Sequence, residues 1–253
     1  MDQHQLAAAQ FGTTAQAYLT SAVHAQGADL QRLRELGRTL PGAHALDLGC
    51  GAGHAGFALA EAGMQVTACD LSAAMLDVVV QEARRRGLSS LKTRLGPAEQ
   101  LPFDAAAFDL VVTRFSAHHW LDVPAALREA RRVLRPNGML VVVDAVAPES
   151  PLLDTLLQTV ELLRDASHVR DYRVSEWDAM LRAAGFDLPE VACWTLPMVF
   201  DTWVARMRTP ALRVHALRDV WAQAAAEAKA HFQLQADGSF LLDVAWLQCR
   251  PLG

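Results

Sequence analysis

Long apolar runs and an excess of positive charge are both missing from this sequence, and each absence excludes a class of protein. Hydrophobic residues make up 52% of the 253 residues, yet no run reaches the roughly 18 consecutive apolar residues that a membrane-spanning helix requires. Asp and Glu (28) outnumber Lys and Arg (23), so the formal net charge is −5. Nucleic-acid-binding proteins cluster an excess of basic side chains. We therefore expect a globular chain with no membrane span and no nucleic-acid partner.

Cysteine is also scarce. The four cysteines form no C-x-x-C pair and lack the spacing of a metal site, so we predict neither a bound metal nor a disulfide framework. The first residues are polar and lack the basic and apolar segments of a secretory signal. We therefore expect a cytoplasmic protein with buried, reduced thiols.

The most informative stretch that is present reads ALDLGCGAGH. An apolar strand containing Asp47 runs into Gly49, Gly51 and Gly53, and an alanine-rich helical segment follows at once. Glycine tolerates positive φ and lets a ligand approach the backbone, and a strand, a glycine turn and a helix N-terminus form a cradle for nucleotides or anions. The third glycine comes one residue too early for the dinucleotide pattern G-x-G-x-x-G, where this chain has His54. The spacing therefore disfavours a nicotinamide enzyme.

An acidic residue follows at the distance expected of a nucleoside-binding fold. Asp70 ends the next apolar run, 21 residues after Gly49, and an acid about 20 positions after the glycine turn can accept hydrogen bonds from ribose hydroxyls. The alternative is that Asp70 only begins the next helix. Strands alternate with helices along the chain, which predicts an α/β fold with a doubly wound parallel sheet.

Together these motifs resemble those of the class I S-adenosylmethionine-dependent methyltransferases. The glycine stretch matches their first motif, and DLSAAML from Asp70 is similar to their ribose-binding segment. GPAEQLPF from Gly96 and FDLVV from Phe108 resemble the adenine loop and fourth strand of the subgroup that contains the ubiquinone and menaquinone C-methyltransferases. The match covers roughly residues 40 to 145. It implies a Rossmann-like seven-stranded sheet, mostly parallel, with one antiparallel strand near the C-terminus and helical lid insertions.

The resemblance also implies S-adenosyl-L-methionine as cofactor and S-adenosyl-L-homocysteine as product. It makes twelve residues candidate cofactor contacts: Tyr18, Asp47, Gly49, Gly51, Gly53, Asp70, Leu71, Met75, Ala98, Glu99, Arg114 and His119. Relatives commonly carry an acid where this chain has Pro97, so adenine is expected to be bound by the backbone of Ala98 and by Glu99. Tyr18 and Phe11 are candidates to line the pocket from a lid, or else ordinary packing residues of an amphipathic helix.

We predict a single methyltransferase domain over residues 1–253. Residues 1–40 form an N-terminal helical lid, residues 41–147 the cofactor-binding half and residues 148–253 the substrate half, with helical insertions at about 150–173 and 201–231. The second insertion contains Trp203, Met207 and Trp221, which fit an acceptor pocket, a dimer face or additional core. The sequence therefore leaves open whether the protein is a monomer or a homodimer.

The candidate catalytic groups follow strand four. His118 and His119 come where the carboxyl ends of the strands place ligands, and imidazole can remove a proton from an acceptor near neutral pH. Neighbouring histidines tend to point apart, which disfavours a metal site, and His119 could instead only pack against the cofactor. Asp144, at the end of strand five, is either a second polar group of the site or a loop cap. Arg114 either orients an anionic substrate or bonds locally.

A polar segment between two later helices supplies further candidate substrate contacts: His168, Tyr172 and Arg173. The alternative is an exposed loop. The function expected from all these features is methyl transfer from S-adenosylmethionine to a small-molecule acceptor at carbon, oxygen or nitrogen. The alternatives are cyclisation or cleavage of the bound cofactor and a non-catalytic cofactor-binding module.

Overall fold

The structure is a computed structural model that describes residues 1–12, 19 and 27–252. Its centre is a seven-stranded sheet of order β3-β2-β1-β4-β5-β7-β6. The strands are β1 (His44–Leu48), β2 (Gln65–Asp70), β3 (Leu91–Leu95), β4 (Phe108–Arg114), β5 (Leu134–Ala145), β6 (Glu190–Met198) and β7 (Phe240–Cys249). β1 to β5 pair in parallel, and β7 runs antiparallel to both β5 and β6. The predicted mostly parallel sheet with one antiparallel strand is confirmed.

Helices precede, connect and cover the strands. They are α1 (Gln3–Gly12), α2 (Ala28–Arg38), α3 (His54–Glu61), α4 (Ala73–Arg86), α5 (Val123–Val133), α6 (Pro151–Arg164), α7 (Val174–Ala183), α8 (Phe200–Arg206), α9 (Ala211–Gln223) and α10 (Ala226–His231). Among the described residues, none of the helices is both long and apolar enough to cross a membrane.

Helices cover both faces of the sheet because successive side chains of a buried strand point in opposite directions. In β1, Ala45 packs with α2 and α3, whereas its neighbour Leu46 packs with α5 and α7. In β5, Val141 and Val142 divide between the same two layers. This alternation fits the doubly wound arrangement that the sequence predicts. Because β1 pairs in parallel with β2 and β4, the carboxyl ends of these strands lie at one edge of the sheet.

The ends of α4 follow the local sequence closely. Ser72 precedes the helix, and its hydroxyl accepts a hydrogen bond from the backbone N–H of Met75, as a capping residue does. Gly87 follows the last turn with a φ of 71°, a left-handed conformation that favours glycine. Both ends of α4 therefore have a local cause in the sequence.

Three boundaries differ from those that the sequence suggests, which are a strand from Met139, a helix that begins at Ser175 and an insertion that Pro210 breaks in two. β5 begins at Leu134, which pairs with Phe108, and the Pro136–Gly138 turn lies inside the strand at a register shift. α7 begins one residue early, because the Glu176 carboxylate accepts the backbone N–H of Arg173. The insertion at about 201–231 divides into three helices rather than two.

The C-terminal helices share a core of their own. Trp203, Met207 and Trp221 are each at most 2% exposed. The two tryptophans both contact Phe240 of β7, with ring centroids 5.0 and 5.1 Å apart. Of the three roles open at the sequence level, the structure places these side chains in the core.

Candidate active site

A cavity lies at the carboxyl ends of β1, β2 and β4, where an open α/β sheet holds its ligands. It contains about 880 Å³ of empty space, part of it open to solvent. Nine of the predicted cofactor contacts line it: Asp47, Gly49, Gly51, Asp70, Leu71, Met75, Ala98, Arg114 and His119. The cavity therefore joins the glycine loop to the segment that follows β4.

Two of the remaining candidates, Gly53 and Glu99, are not among the lining residues. Gly53 caps the N-terminus of α3 with a φ of 86°. Glu99 accepts the backbone N–H of Leu121 at 2.9 Å and thereby holds the loop after the histidines. Tyr18 and the side chain of Phe11 lie outside the part of the chain that the structure describes. The roles of Gly53, Glu99 and Tyr18 in cofactor binding stay predictions.

The glycine loop passes close to the β4 loop. A side chain at Gly49 would place its Cβ 2.0 Å from the hydroxyl oxygen of Ser116, so only glycine fits there. Gly51 has a φ of 49°, and a Cβ at that position would meet no atom within 4 Å. Because Gly51 lines the cavity, that Cβ would occupy cavity space. At these two glycines the loop thus offers a backbone without side chains to a ligand in the cavity.

Two buried carboxylates hold the glycine loop and the helix that follows it. Asp70 accepts hydrogen bonds from the backbone N–H groups of Gly51 at 2.9 Å and Ser72 at 2.8 Å, and burial raises its pKa. Asp47 accepts the N–H of Gly56 at 2.7 Å, and burial raises the pKa of Asp47 to about 7. A cationic ligand would favour the ionised form of both groups. These two acceptor groups therefore fit a ligand that carries ribose hydroxyls and a positive charge.

Arg114 and Phe115 form the turn at the end of β4. The Arg114 guanidinium pairs with the carboxylate of Asp29 at the start of α2, and both side chains are 5% exposed. It also lies over the Phe115 ring at 4.7 Å from the centroid. Phe115 has a φ of 49°, an unusual conformation for a non-glycine residue. This turn directs the chain from the sheet into the histidine segment.

His118 is not among the residues that line the cavity. Its Nδ1 is 2.6 Å from Oδ1 of Asp144, and Oδ2 of Asp144 accepts the backbone N–H of Ala117 at 2.8 Å. Burial of the ring opposes its charge, but the adjacent Asp144 carboxylate raises the pKa of His118 to about 9. His118 is therefore an imidazolium at neutral pH. From the sequence, Asp144 was either a polar group of the site or a loop cap. In the structure it accepts a hydrogen bond from the backbone of the histidine turn and stabilises the positive charge of His118.

His119 is the histidine that lines the cavity. Its Nδ1 lies 3.1 Å from the backbone carbonyl oxygen of Ser167. Burial, together with the charge of His118, lowers the pKa of His119 to about 3, so its ring is neutral at neutral pH. The expectation that the two histidines point apart is wrong: they share a 3₁₀ turn, and their ring centroids are 4.2 Å apart.

The segment after α6 packs over this turn. The backbone N–H groups of Val169 and Arg170 donate to the carbonyl oxygen of His118 at 2.8 and 3.2 Å. His168 is 6% exposed and bonds Gln158 at 2.9 Å. The sequence predicted either a substrate contact or an exposed loop residue at His168. The structure instead buries this side chain outside the cavity lining.

Tyr172 and Arg173 also lie outside the cavity lining. Tyr172 packs against Trp177, with centroids 5.9 Å apart, and Arg173 pairs with Glu176 at 2.9 Å. Sequence reasoning missed further lining residues, among them Ala7, Cys50, Ser116 and Trp120. Cys50 lies between two glycines of the glycine motif and Trp120 directly follows His119, so both could have been identified from their neighbours in the sequence. Ala7 lies next to no motif.

The chain is similar to a family of methyltransferase domains and to two uncharacterized bacterial proteins. A family profile described as a methyltransferase domain matches residues 46–142. The chain is 48% identical over 188 residues to the uncharacterized protein YafE of Escherichia coli K12, covering 74% of this chain and 91% of that protein. It is 36% identical over 203 residues to the uncharacterized methyltransferase YcgJ of Bacillus subtilis, covering 80% of each.

Two solved structures also resemble this chain over most of its length. The crystal structure of YcgJ superposes with a TM-score of 0.82 at 33% identity, covering 88% of this chain and 99% of that one. A putative methyltransferase from Bacillus halodurans gives a TM-score of 0.85 at 32% identity, covering 90% and 100%. The similarity therefore extends over most of the chain, well beyond the cofactor motifs.

Proposed function

We propose that this chain, which belongs to the class I S-adenosylmethionine-dependent methyltransferases, methylates a small organic acceptor in the cavity described above. One observation carries the proposal: a single cavity is lined by the glycine loop and Asp70 on one side and by His119 and Trp120 on the other. A nucleoside cofactor and a proton-accepting side chain would therefore meet in the same space.

Cofactor binding is assigned to the first group of residues. Asp70, fixed by two backbone N–H groups, would accept hydrogen bonds from the ribose hydroxyls. Gly51 would leave room for the methionyl end, and Ala98 would lie beside adenine. When bound, S-adenosylmethionine supplies an electrophilic methyl group on a sulfonium. The task left to the protein is to align the acceptor and exclude water.

We assign acceptor deprotonation to His119 rather than His118. His118 already carries a proton that Asp144 holds, at a pKa of about 9, so it cannot take another. His119 is neutral and lines the cavity. A weakly basic ring is sufficient, because a hydroxyl becomes strongly acidic as its oxygen forms the new bond to carbon. His119 therefore suits an acceptor that loses its proton during transfer.

The proposal is tested by following S-adenosylhomocysteine release while a panel of phenols, carboxylic acids, amines and activated carbon acids is offered. Release that depends on one acceptor class, with a methylated product of matching mass, supports methyl transfer. Consumption of S-adenosylmethionine without S-adenosylhomocysteine would contradict it and favour cleavage or cyclisation of the cofactor. Failure to bind the cofactor at all would also contradict it.

A further inference from the structure

Both oxygens of the Glu99 carboxylate face groups of the protein itself. Its Oε1 accepts hydrogen bonds from the backbone N–H groups of Leu121 at 2.9 Å and Asp122 at 3.4 Å. Its Oε2 lies 3.4 Å from Nε2 of His4. The Glu99 side chain is 14% exposed, and Glu99 is not among the residues that line the cavity. A contact with adenine, which the resemblance implies for Glu99, would have to replace one of these partners.

The groups that meet at this carboxylate come from three separate walls of the cavity. His4 lies in the first turn of α1, Glu99 in the loop after β3 and Leu121 in the segment after β4. Each of them is next to a cavity-lining residue in the chain, or one helical turn away from it on the same helix face. Those lining residues are Ala7, Ala98 and Trp120. Glu99 therefore links three walls at points close to the cavity.

The neighbour of His4 makes a second contact between α1 and the segments around the histidine turn. The side-chain N–H of Gln3 donates to the backbone carbonyl oxygen of Ser167 at 2.7 Å, and Nδ1 of His119 lies 3.1 Å from the same oxygen. Two consecutive residues of α1 thus reach the carbonyl beside His119 and, through Glu99, the backbone that follows Trp120. The first turn of α1 is therefore connected to the histidine turn from two directions.

The contact between His4 and Glu99 is longer than a hydrogen bond to a carboxylate. Such bonds measure about 2.7–2.9 Å, whereas these two atoms are 3.4 Å apart. Nε2 of His4 is buried and has no hydrogen-bond partner in the part of the chain that the structure describes, which is unfavourable for a polar atom. A shift of about half an ångström between α1 and the loop would complete the bond.

We propose that Glu99 is a positioning residue of the cofactor site: its carboxylate couples α1 to the segment after β4, and its contact with His4 tightens when the cofactor occupies the cavity. This inference rests on the proposed function. A ligand that lies against Ala7, Ala98 and Trp120 at once favours the arrangement in which these three walls approach one another. The completed contact then holds α1 over the ligand and slows its release.

The test is a double-mutant cycle on the dissociation rate of S-adenosylhomocysteine, measured by stopped-flow displacement. His4→Ala should raise that rate about three- to tenfold, the range of one lost hydrogen bond. Glu99→Ala also frees the backbone N–H groups of Leu121 and Asp122 and should raise the rate further. His4→Ala should have no added effect in the Glu99→Ala background, because its partner is already gone.

Asp104→Ala is the matched control for Glu99→Ala. Asp104 is an exposed acid of the same loop, and its removal should leave the rate unchanged. A wild-type rate in His4→Ala would overturn the proposal, and this single variant decides it even if Glu99→Ala fails to fold. An equal effect of His4→Ala in both backgrounds would also overturn it, because independent contacts of the two side chains with the cofactor predict that result.

A second readout needs no ligand. Millisecond hydrogen exchange of the α1 amides should be faster in His4→Ala and in Glu99→Ala than in the wild type, and unchanged exchange in both variants would overturn the proposal. Calorimetric titration with S-adenosylhomocysteine separates this inference from the proposed function. A wild type that does not bind would defeat the proposed function, whereas the exchange measurement would still decide whether Glu99 holds α1.

Discussion

The carboxylate of Asp144 lies 2.6 Å from Nδ1 of His118, and this contact gives two adjacent histidines different charges. The partner on β5 keeps His118 protonated, with a pKa near 9, and the resulting charge helps to keep His119 neutral. Only the neutral ring lines the cavity. The division of roles between the two histidines therefore rests on one long-range pair.

The first prediction concerns the pH dependence of stability. A pKa raised from 6.5 to about 9 means that the native protein holds the His118 proton more tightly than the unfolded chain does. The stabilisation is complete below pH 6.5 and disappears as the pH rises through about 9. Urea unfolding between pH 6 and 10 should show the wild type losing its advantage over His118→Asn as the pH rises. A constant difference would contradict the account.

The second prediction concerns Gly51. Gly51→Ala places a methyl group in the cavity and should weaken binding of S-adenosylmethionine at least about tenfold, about 1.4 kcal/mol. Strain at its φ of 49° should cost about 1–2 kcal/mol of stability. Gly42→Ala is the matched control: Gly42 has a φ of 74° and equally open surroundings, but it is absent from the cavity lining. Equal loss of affinity in both variants would show that strain, not cavity space, is responsible.

The third prediction tests whether α1 acts as a lid. Gln3 ties this helix to the Ser167 carbonyl oxygen, and Ala7 of the same helix lines the cavity. Gln3→Ala should therefore increase the dissociation rate of S-adenosylhomocysteine several-fold, with little change in melting temperature, because it removes one partly buried hydrogen bond. Stopped-flow displacement measures that rate. Gln5→Ala, which removes only an exposed contact with Asp2, should leave it unchanged, and equal rates in all three proteins would contradict the lid.

The conformation of the glycine loop could be predicted because its determinants are local. Gly49, Gly51 and Asp70 lie within 22 consecutive residues, and the conformation that each requires depends on its own backbone and near neighbours. The cap at Ser72 and the stop at Gly87 are local in the same sense. Short-range rules therefore suffice to place this part of the site.

The arrangement of the histidine turn could not be predicted, because contacts distant in sequence set it. Asp144 lies 26 residues from His118 and Ser167 lies 48 residues from His119, and neither distance has a sequence signature. The segment that contains His168 folds over the histidine turn through backbone hydrogen bonds to His118. No side-chain pattern encodes such bonds, so the histidines could be named from the sequence but not told apart.

The central claim is that the cavity binds S-adenosylmethionine through Asp70. Isothermal titration of the wild type, Asp70→Ala and Asp77→Ala with S-adenosylmethionine and S-adenosylhomocysteine tests it most directly. Asp77 is an exposed acid in α4, the helix that follows Asp70, and serves as the matched control. We expect micromolar binding by the wild type and Asp77→Ala, and at least about 100-fold weaker binding by Asp70→Ala, about 2.7 kcal/mol. Absent binding by the folded wild type, or undiminished binding by Asp70→Ala, would contradict the account.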